Sequence, residues 1–305
     1  MAAKRLIRIK TISEYHRLAG LPKPEHPLIS VINMELLKQM PVKEPGNLVL
    51  DFYSISLKRH FNTKIKYGQQ QYDFDEGIMF FIAPNQVFGV EGSKSIKKPS
   101  GWMLFIHPDF LWNTPLAKTI KKYEYFSYSV HEALHLSDKE ETMIINLMKN
   151  IQQEYQSNID KFSQDVIIAQ IELLLTYSER FYNRQFITRK ITNHKILNRL
   201  EEILSGYFSN ENLAEKGLPS VQYIADALNV SPGYLSGLLK NLTGQSTQQF
   251  IHDKLLEKAK EKLSTTDLSV SEIAYALGFG HPQSFSKLFK TKTKLSPLEF
   301  RASFN

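Results

Sequence analysis

The chain contains no cysteine in its 305 residues. Disulfide frameworks, thiolate metal sites and cysteine nucleophiles are therefore excluded. It also lacks any apolar run close to the roughly 18 residues that a membrane-spanning helix needs. Residues 1–8 are basic but carry no apolar core of a signal peptide. These absences predict a cytoplasmic protein that does not enter a membrane.

Acidic residues are the minority among the charged ones, with 31 Asp and Glu against 38 Lys and Arg. The net charge of +7 suits a polyanionic partner, but it is a weak indication because many soluble proteins are as basic. An apolar content of 42% and a charged content of 23% are typical of a globular chain. The length allows two domains of ordinary size, each with its own core.

Catalytic motifs are few, since the sequence has neither a glycine-rich phosphate loop nor a G-x-S-x-G elbow. One HExxH sequence runs from His131 through Glu132 to His135. On a helix this spacing places two histidines on one face for zinc, with the glutamate as general base. The capping-box pair Ser137 and Glu140 instead favours a separate helix that starts just after the motif. A zinc-dependent hydrolase is therefore the alternative function, and local packing without metal or cofactor is the favoured interpretation.

Short β-type runs occupy the chain from about residue 28 to residue 106. They are rich in β-branched and aromatic residues and are divided by Gly, Pro and Asn, as in residues 48–57, 77–84, 86–90 and 101–106. With no long helical pattern between them, these runs predict an antiparallel sandwich or barrel. A barrel of this kind can enclose a small ligand.

Aromatic residues cluster in and after the last of these runs. They are Trp102, Trp112, Tyr123, Tyr125, Phe126 and Tyr128. Such a set is able to line a sugar-binding face. Packing in the core is the favoured interpretation.

After Pro108 the spacing of apolar residues becomes helical. Two amphipathic helices are predicted, over residues 137–155 and 164–184, each with a broad apolar stripe. The stripes fit either packing inside their own domain or the seam of a dimer, and the sequence leaves both open. Polar residues 183–193 then mark a boundary between a domain of residues 1–186 and one of residues 190–305.

One helix-turn-helix pattern occurs twice in the last third of the chain, over residues 221–243 and 270–292. Ile224 and Ala225 in the first copy correspond to Ile273 and Ala274 in the second, an offset of 49 residues. After the turn the offset becomes 50, because the second copy holds one additional residue. A small helical module that is present twice, with basic residues on its second helix, is best explained as a reader of DNA.

In a helix-turn-helix the first helix crosses the DNA backbone, and the second, called the reading helix below, enters the major groove with its N-terminal residues. This geometry requires small residues where the two helices cross, which Ala225 and Ala274 supply. Pro232 and Pro282 fit the first position of each reading helix.

Outward positions of the two reading helices are the expected DNA contacts. Those assigned to bases are Gly233, Tyr234, Ser236, Gly237, Gln283, Ser284, Ser286 and Lys287. Those assigned to phosphates are Lys240, Lys290, Lys292 and Lys294. Gln283 is suited to adenine and Lys287 to guanine in the major groove.

The C-terminal domain resembles the DNA-binding domain of AraC/XylS-type transcription regulators. The residues that carry the most specific part of the resemblance lie in the second copy and are Ile273, Ala274, Leu277, Gly278, Phe279, Phe285, Ser286, Lys287, Phe289, Lys290, Ser296, Pro297, Phe300 and Arg301. The resemblance implies two motifs, joined by a linker helix near residues 247–263, that read successive major grooves on one face of DNA.

Two positions depart from the family's pattern. Lys294 stands where a glycine usually ends the second reading helix, so a different turn is expected there. Gly237 stands where a large residue is common, which shifts the expected base reading toward the second motif.

The N-terminal two-thirds resembles such regulators more loosely. This resemblance implies a cupin-like barrel that binds an effector, followed by a helical pair that forms the dimer. Residues 80–88 fit a strand-turn-strand of that barrel, and the His-x-His set of metal-binding cupins is absent.

We therefore predict an α+β protein of two domains, with an N-terminal cupin-like antiparallel β-barrel and helical pair followed by an all-α domain with two helix-turn-helix motifs. The expected function is sequence-specific transcription regulation under a small-molecule effector, without enzymatic activity or a cofactor. Expected partners are double-stranded promoter or operator DNA, a second copy of the chain in a homodimer, the effector and, as a candidate, RNA polymerase. A DNA-binding protein whose barrel senses nothing is a third, non-catalytic option.

Overall fold

The computed structural model of the chain describes residues 6–38, 46–59, 66–67, 70–71, 77–90, 100–128, 132–157, 160–188, 190–208 and 217–303. The chain divides into two compact units, Met1–Gln185 and Phe186–Asn305. The described strands all belong to the first unit, and the described elements of the second unit are helices. The prediction of a β-rich N-terminal region followed by a helical C-terminal region is confirmed.

The strands follow the short β-type runs of the sequence. They are β1 Leu6–Ile9, β2 Ile29–Asn33, β3 Gly46–Leu50, β4 Tyr53–Arg59, β5 Lys66–Tyr67, β6 Gln70–Gln71, β7 Ile78–Ile82, β8 Val87–Val90, β9 Ser100–Ile106 and β10 Leu134–His135. The predicted run of residues 48–57 is interrupted after β3, where the Asp51 N–H donates to the Ile9 carbonyl oxygen at 3.1 Å. Asp51 also accepts a hydrogen bond from Arg8 Nε at 2.8 Å, which fixes the bend between β3 and β4.

The strands form separate sheets because of that bend. The larger sheet has the order β10-β7-β4-β9-β2 and is antiparallel, the second has the order β1-β3-β8, and β5 pairs with β6. β1 and β3 run parallel, which differs from the predicted all-antiparallel arrangement. Within the described residues the sheets do not close into the predicted barrel.

The two faces of the five-stranded sheet meet different partners. On the outer face, the Phe81 ring lies 4.5 Å from the Tyr125 ring, centroid to centroid. On the inner face, Met103 and Phe105 join one apolar cluster with Leu50 of β3 and with residues of the first helix. The inner face therefore packs against the three-stranded sheet, and the outer face is covered by helices and aromatic side chains.

The helices are α1 Ile12–Ala19, α2 Leu116–Thr119, α3 Asp138–Gln156, α4 Ser163–Thr188, α5 Lys190–Phe208, α6 Val221–Leu228, α7 Pro232–Thr243, α8 Thr247–Thr265, α9 Val270–Ala276, α10 Pro282–Thr293 and α11 Pro297–Ala302. α3 begins at the predicted capping box, where the Glu140 carboxylate accepts from the Ser137 N–H at 2.9 Å. The predicted polar boundary near residues 183–193 is helical wherever it is described, and the division between the units falls inside α4.

The predicted apolar stripes of α3 and α4 are buried. Their buried members are Ile144, Leu147, Met148, Ile151, Tyr155, Ile167, Ile171, Leu174, Leu175, Ser178 and Phe181. Tyr155 also ties α3 to the sheet, since its hydroxyl accepts from the Val31 N–H at 2.9 Å. The interpretation of these stripes as internal packing is confirmed.

Half of the aromatic cluster is core rather than a ligand-binding face. Tyr125, Phe126 and Tyr128 are buried, and Tyr125 stacks on Tyr182 of α4 with ring centroids 5.4 Å apart. Trp102 and Tyr123 are partly buried, and Trp112 is 72% exposed. In the described part of the chain, none of the helices is both long and apolar enough to span a bilayer.

A partly buried ion pair links the sheet to α3. The Glu141 carboxylate is nearly buried and accepts from Arg59 Nε at the end of β4, whereas the Arg59 side chain is 45% exposed. The two partners are therefore unequal, because water can replace the carboxylate for Arg59 but cannot replace the guanidinium for Glu141.

Replacing Arg59 is expected to lower the free energy of unfolding more than removing the charge of Glu141. Arg59→Met leaves a buried carboxylate without its cation and should lower the free energy of unfolding by about 2–3 kcal/mol. Glu141→Gln keeps an acceptor and frees an arginine that water can solvate, so a loss of about 1 kcal/mol is expected. Urea unfolding of both variants measures the difference, and equal losses would contradict this account of the pair.

Candidate nucleic-acid interface

The two helix pairs of the second unit are built on the same turn. Between α6 and α7, Asn229 adopts the left-handed conformation with φ of 55°, and the next residue donates its N–H to the Ala225 carbonyl oxygen at 3.0 Å. Between α9 and α10, Gly278 takes this position with φ of 83°, and the next residue donates to Ala274 at 3.0 Å. Asparagine and glycine are the residues that adopt this conformation most readily. The sequence repeat is therefore a repeat of backbone structure.

The reading helices α7 and α10 start in similar ways but are not equally capped. Pro232 and Pro282 occupy the first turn of each, as predicted. Ser231 caps α7 by accepting from the Tyr234 N–H at 3.2 Å. His281 stands at the corresponding position of α10 and makes no side-chain cap bond. In the first turn of α10, the Ser284 N–H donates instead to the His281 backbone carbonyl oxygen at 3.0 Å.

Small residues lie where the helices of each pair cross. Ala225 and Ala274 are both 0% exposed and join one apolar core cluster of the second unit. The predicted inward residues of the reading helices that are fully buried are Leu235, Leu238, Leu239, Phe285 and Phe289. Leu288 is partly buried against the same core. This packing fixes which face of each reading helix points away from the core.

α8 connects the two pairs and is fixed at both ends. At its start, the Ser246 N–H donates to the Gln249 side chain at 2.9 Å in a capping box. At its end, Arg301 of α11 donates from Nε to the Leu263 carbonyl oxygen at 3.1 Å. Arg301 thereby satisfies a carbonyl group that the end of a helix leaves without a partner.

The second reading helix presents the side chains that the sequence predicts for bases. Gln283, Ser284 and Lys287 are exposed on α10, and Ser286 is partly buried. Lys290 is exposed one turn beyond Lys287. An amide, two hydroxyls and two cations therefore lie along the face of α10 that does not pack on the core.

The first reading helix, α7, exposes fewer polar side chains than α10, and one of its predicted DNA contacts is wrong. Tyr234 was expected on the outward face, but it is 1% exposed and its ring lies 5.2 Å from that of Phe186. Gly233, Ser236 and Gly237 are partly buried. The Ser236 hydroxyl lies 3.1 Å from that of Thr247 at the start of α8, in hydrogen-bond contact. The large apolar ring of Tyr234 gains more from burial than from solvent contact, and Ser236 is held by α8.

The lysines predicted for phosphates differ in their surroundings. Lys240 and Lys290 are exposed. Lys292 forms an ion pair with Asp253 of α8 at 3.0 Å, so part of its charge is already compensated. The neighbouring His252 has its pKa lowered by burial and by the charge of Lys292.

Lys294 does not change the turn that ends α10. Its φ and ψ are 67° and −2°, close to the 74° and 3° of Gly244 at the end of α7. The expectation of a different turn at Lys294 is therefore wrong. The lysine adopts the left-handed conformation instead, and its ammonium group donates to the Thr291 carbonyl oxygen at 3.1 Å.

His281 is a candidate contact that the sequence did not predict. It is exposed at the start of α10, two residues before Gln283. Its position before a proline indicated only an N-cap, and it does not make that bond. The sequence did not indicate this role because the position of a residue in a motif does not show whether its side chain is exposed to solvent.

The HExxH segment is not a helical zinc motif. Leu134 and His135 form strand β10, paired with Met79 and Ile78 of β7. The strand's outer edge is held by Gln185 of α4, which accepts from the His135 N–H at 2.8 Å and donates to the Ala133 carbonyl oxygen at 3.1 Å.

Extended backbone cannot place histidines four residues apart on one helical face. Glu132 is buried, and His131 lies outside the described residues. No group of three or more His, Asp or Glu side chains suited to a metal occurs in the described part of the chain. The helix on which the zinc-hydrolase alternative depended is therefore not formed at Leu134 and His135, because these two residues pair with β7.

Comparison with known proteins places the second unit among helix-turn-helix domains. The family model described as a helix-turn-helix domain matches residues 224–303. The transcriptional activator RhaS of Enterobacter sp. (strain 638) is 25% identical over 253 residues, which cover 82% of this chain and 85% of RhaS. The transcriptional regulator YijO of Escherichia coli (strain K12) is 35% identical over 82 residues, 27% of this chain and 29% of YijO.

Among solved structures, the DNA-binding domain of AdpA in complex with a target DNA is 26% identical to this chain. The match covers 34% of this chain and 91% of the AdpA domain, with a TM-score of 0.30.

The left-handed conformation of Lys294 is expected to lower the free energy of unfolding, and a glycine at this position should restore it. Lys294→Gly should raise the free energy of unfolding by about 1 kcal/mol, because a residue with a Cβ is strained in this conformation. The matched variant Gly244→Ala should lower it by about the same amount. Thermal or urea unfolding measures both, and a destabilised Lys294→Gly would show that the lysine side chain contributes more than the turn costs.

Proposed function

We propose that α7 and α10 are the reading helices of two helix-turn-helix motifs in a DNA-binding transcription regulator of the AraC/XylS type. The proposal rests on one observation: the same turn, proline start and buried alanine crossing occur twice, and each leaves one helix face away from the core. Two such motifs on one linker helix are suited to two successive major grooves of one duplex.

The two reading helices contribute unequally in this proposal. α10 supplies base contacts through Gln283 to adenine and Lys287 to guanine, with Ser284 and Ser286 beside them. His281, exposed at the start of α10, is suited to a phosphate. Sequence preference therefore depends mainly on α10.

α7 offers small, partly buried residues instead. Gly233, Ser236 and Gly237 allow close approach of its backbone to the groove, and Lys240 is suited to a phosphate. The phosphate contacts of the second motif are extended by Lys290, Lys292 and Lys294. Of these, Lys292 also forms an ion pair with Asp253. The first motif therefore adds affinity with little selection among bases.

The first unit is proposed to sense a small effector and to form the dimer. A small ligand would bind between its two sheets, whose facing apolar residues include Leu50 and Phe105, in the manner of a cupin-like barrel. An effector would act by binding one of two arrangements of the DNA-binding units more tightly than the other. RNA polymerase is the partner through which bound protein would change transcription.

A dimer seam is proposed on α4, on the side opposite its buried stripe. Phe162, which directly precedes α4, is 57% exposed, Val166 and Leu173 of α4 are 38% and 44% exposed, and Ala169 is exposed between the latter two. Their spacing of four, three and four residues is that of a two-stranded coiled coil. A second copy of α4 packing antiparallel or parallel on this row would cover all four.

Base contacts and phosphate contacts on α10 are expected to respond differently to mutation. Gln283→Ala and Lys287→Ala should each cost about 1–3 kcal/mol on the preferred site and relax the preference at one base pair. Lys290→Ala should weaken binding to all sequences alike and reduce the salt slope by about 1. Binding titrations at several salt concentrations measure both, with Lys121→Ala of the first unit as the charge-matched control. Unchanged specificity in the first two variants would contradict their assignment to bases.

The DNA-binding unit is expected to fold and bind DNA by itself, with Phe186 included. A fragment of residues 186–305 retains the ring contact between Phe186 and Tyr234, whereas residues 190–305 lose it. Both fragments should bind DNA more weakly than the full chain, and the shorter one should have the lower melting temperature. Circular dichroism and a binding titration check this, and failure of both fragments to fold would refute the proposed boundary.

The dimer proposal predicts a monomer when a charge enters the exposed row of α4. Leu173→Glu should halve the mass measured by light scattering after gel filtration, because the glutamate would be desolvated in the seam. Met143→Glu is the matched control, since Met143 is 38% exposed on α3 and outside the row. A Leu173→Glu variant with the mass of the wild type would refute this seam.

A further inference from the structure

The linker helix α8 carries an aspartate beside a lysine that is proposed to contact DNA. Asp253 lies in the second turn of α8 and forms an ion pair with Lys292 of α10 at 3.0 Å. A carboxylate at this place opposes DNA binding, because it repels phosphate groups and compensates the charge of a lysine suited to them. Its presence therefore needs a reason other than attraction to DNA.

The same carboxylate also binds the segment that follows the first reading helix. Asp253 Oδ2 accepts from Gln245 Nε2 at 2.8 Å, while Oδ1 accepts from Lys292 Nζ at 3.0 Å. Gln245 directly follows Gly244, which ends α7, and Lys292 lies in the last turn of α10. One side chain therefore joins the C-terminal ends of both reading helices. These two contacts of Asp253 are called the Asp253 bridge below.

The position of Gln245 is tied to the last turn of α7. Its N–H donates to Thr243 Oγ1 at 3.3 Å, and the Thr243 hydroxyl donates to the Leu239 carbonyl oxygen at 2.8 Å. Leu239 is fully buried in the core of the second unit. Gln245 and Asp253 are both partly buried, and a hydrogen bond to a carboxylate is stronger than one between neutral groups. Movement of α7 is therefore transmitted to Asp253.

The other contacts of α8 with the reading helices are mostly apolar. Leu255 and Leu256 of α8 share one core cluster with Leu239 of α7 and Phe289 of α10. Within residues 217–303, no other ion pair joins α8 to a reading helix. Apolar contact is not directional, so it keeps helices close without fixing their rotation as hydrogen bonds and ion pairs do.

We propose that Asp253 is a positioning residue that fixes the two reading helices relative to each other, and thereby sets the spacing of the two DNA segments that they read. This inference rests on the proposed function, since it requires α7 and α10 to enter successive major grooves. A change of one base pair in the spacing moves one segment by about 3.4 Å and rotates it by about 35° around the duplex axis. Reading helices joined by the Asp253 bridge cannot follow this change without breaking it.

Selection from random DNA tests the proposal without a known target. The full-length protein is mixed with duplexes of about 40 random base pairs, roughly four helical turns, and the bound DNA is sequenced. The measured quantity is the distribution of separations between two recurring segments. We expect the wild type to favour one separation by about tenfold over those one base pair shorter or longer.

Two variants remove the Asp253 bridge in different ways. Gln245→Ala removes the arm to the first motif without changing a charge. It should lower the preference for one separation from about tenfold to about twofold and leave the salt dependence of binding unchanged. Asp253→Asn breaks the ion pair and frees Lys292 for a phosphate. It should widen the distribution as well, but it should also increase the salt slope by about 1.

Glu261→Gln is the charge-matched control on the same helix. Glu261 pairs with Lys258 of α8 at 2.8 Å, and this ion pair joins neither reading helix. The variant should therefore keep the narrow distribution of the wild type. A distribution that widens as much in Glu261→Gln as in Asp253→Asn would overturn the inference, because the loss of any acidic charge on α8 would then suffice.

Thermal unfolding of the same variants separates positioning from a purely structural role. If the Asp253 bridge serves stability alone, Gln245→Ala melts lower than the wild type but keeps one narrow separation. That result would overturn the inference, and the two reading helices of the proposed function would still stand. A wild type that recovers no paired segments would instead refute the two-motif function, and this inference with it.

Discussion

The close crossing of two short helices over a buried alanine is the constraint on which the DNA-binding unit depends. Ala225 and Ala274 are fully buried, and a larger side chain at either position would push the reading helix away from its partner. The left-handed turns at Asn229 and Gly278 bring each reading helix back across that alanine. Because Leu235 or Phe285 then fills the core, the opposite face of α7 or α10 is directed away from it. The positions of Gln283 and Lys287 follow from this packing.

The sequence predicts the parts of this unit that local rules decide. The alanines, the prolines at the helix starts and the inward residues all follow from periodicity and capping, and they lie as expected. Those rules do not predict the burial of Tyr234 or the backbone conformation of Lys294. The Tyr234 ring is buried against Phe186, a residue distant in sequence, and Lys294 adopts a strained conformation that sequence patterns assign to glycine. Pairing of Lys292 with Asp253 depends on how α8 and α10 pack, which periodicity does not encode.

In the first unit, the strands could be predicted but their assembly could not. The bend at Asp51 depends on Arg8 and on the Ile9 carbonyl group, which come from a strand more than forty residues earlier along the chain. The HExxH segment shows the same limit. Its sequence pattern fits a zinc-binding helix, but Leu134 and His135 pair with β7, and Gln185 accepts from the His135 N–H.

Selection of sheared genomic DNA by the purified full-length protein at near-physiological salt, followed by sequencing, tests the central claim most directly. Two motifs on one linker helix predict a recurring site with two contacted segments about one helical turn, or 10–10.5 base pairs, apart. The segment read by α10 should be the more sharply defined of the two, because Gln283 and Lys287 lie there. Uniform recovery of all sequences, lost as salt rises, would contradict the claim, because it would show that the lysines bind phosphates without any reading of bases.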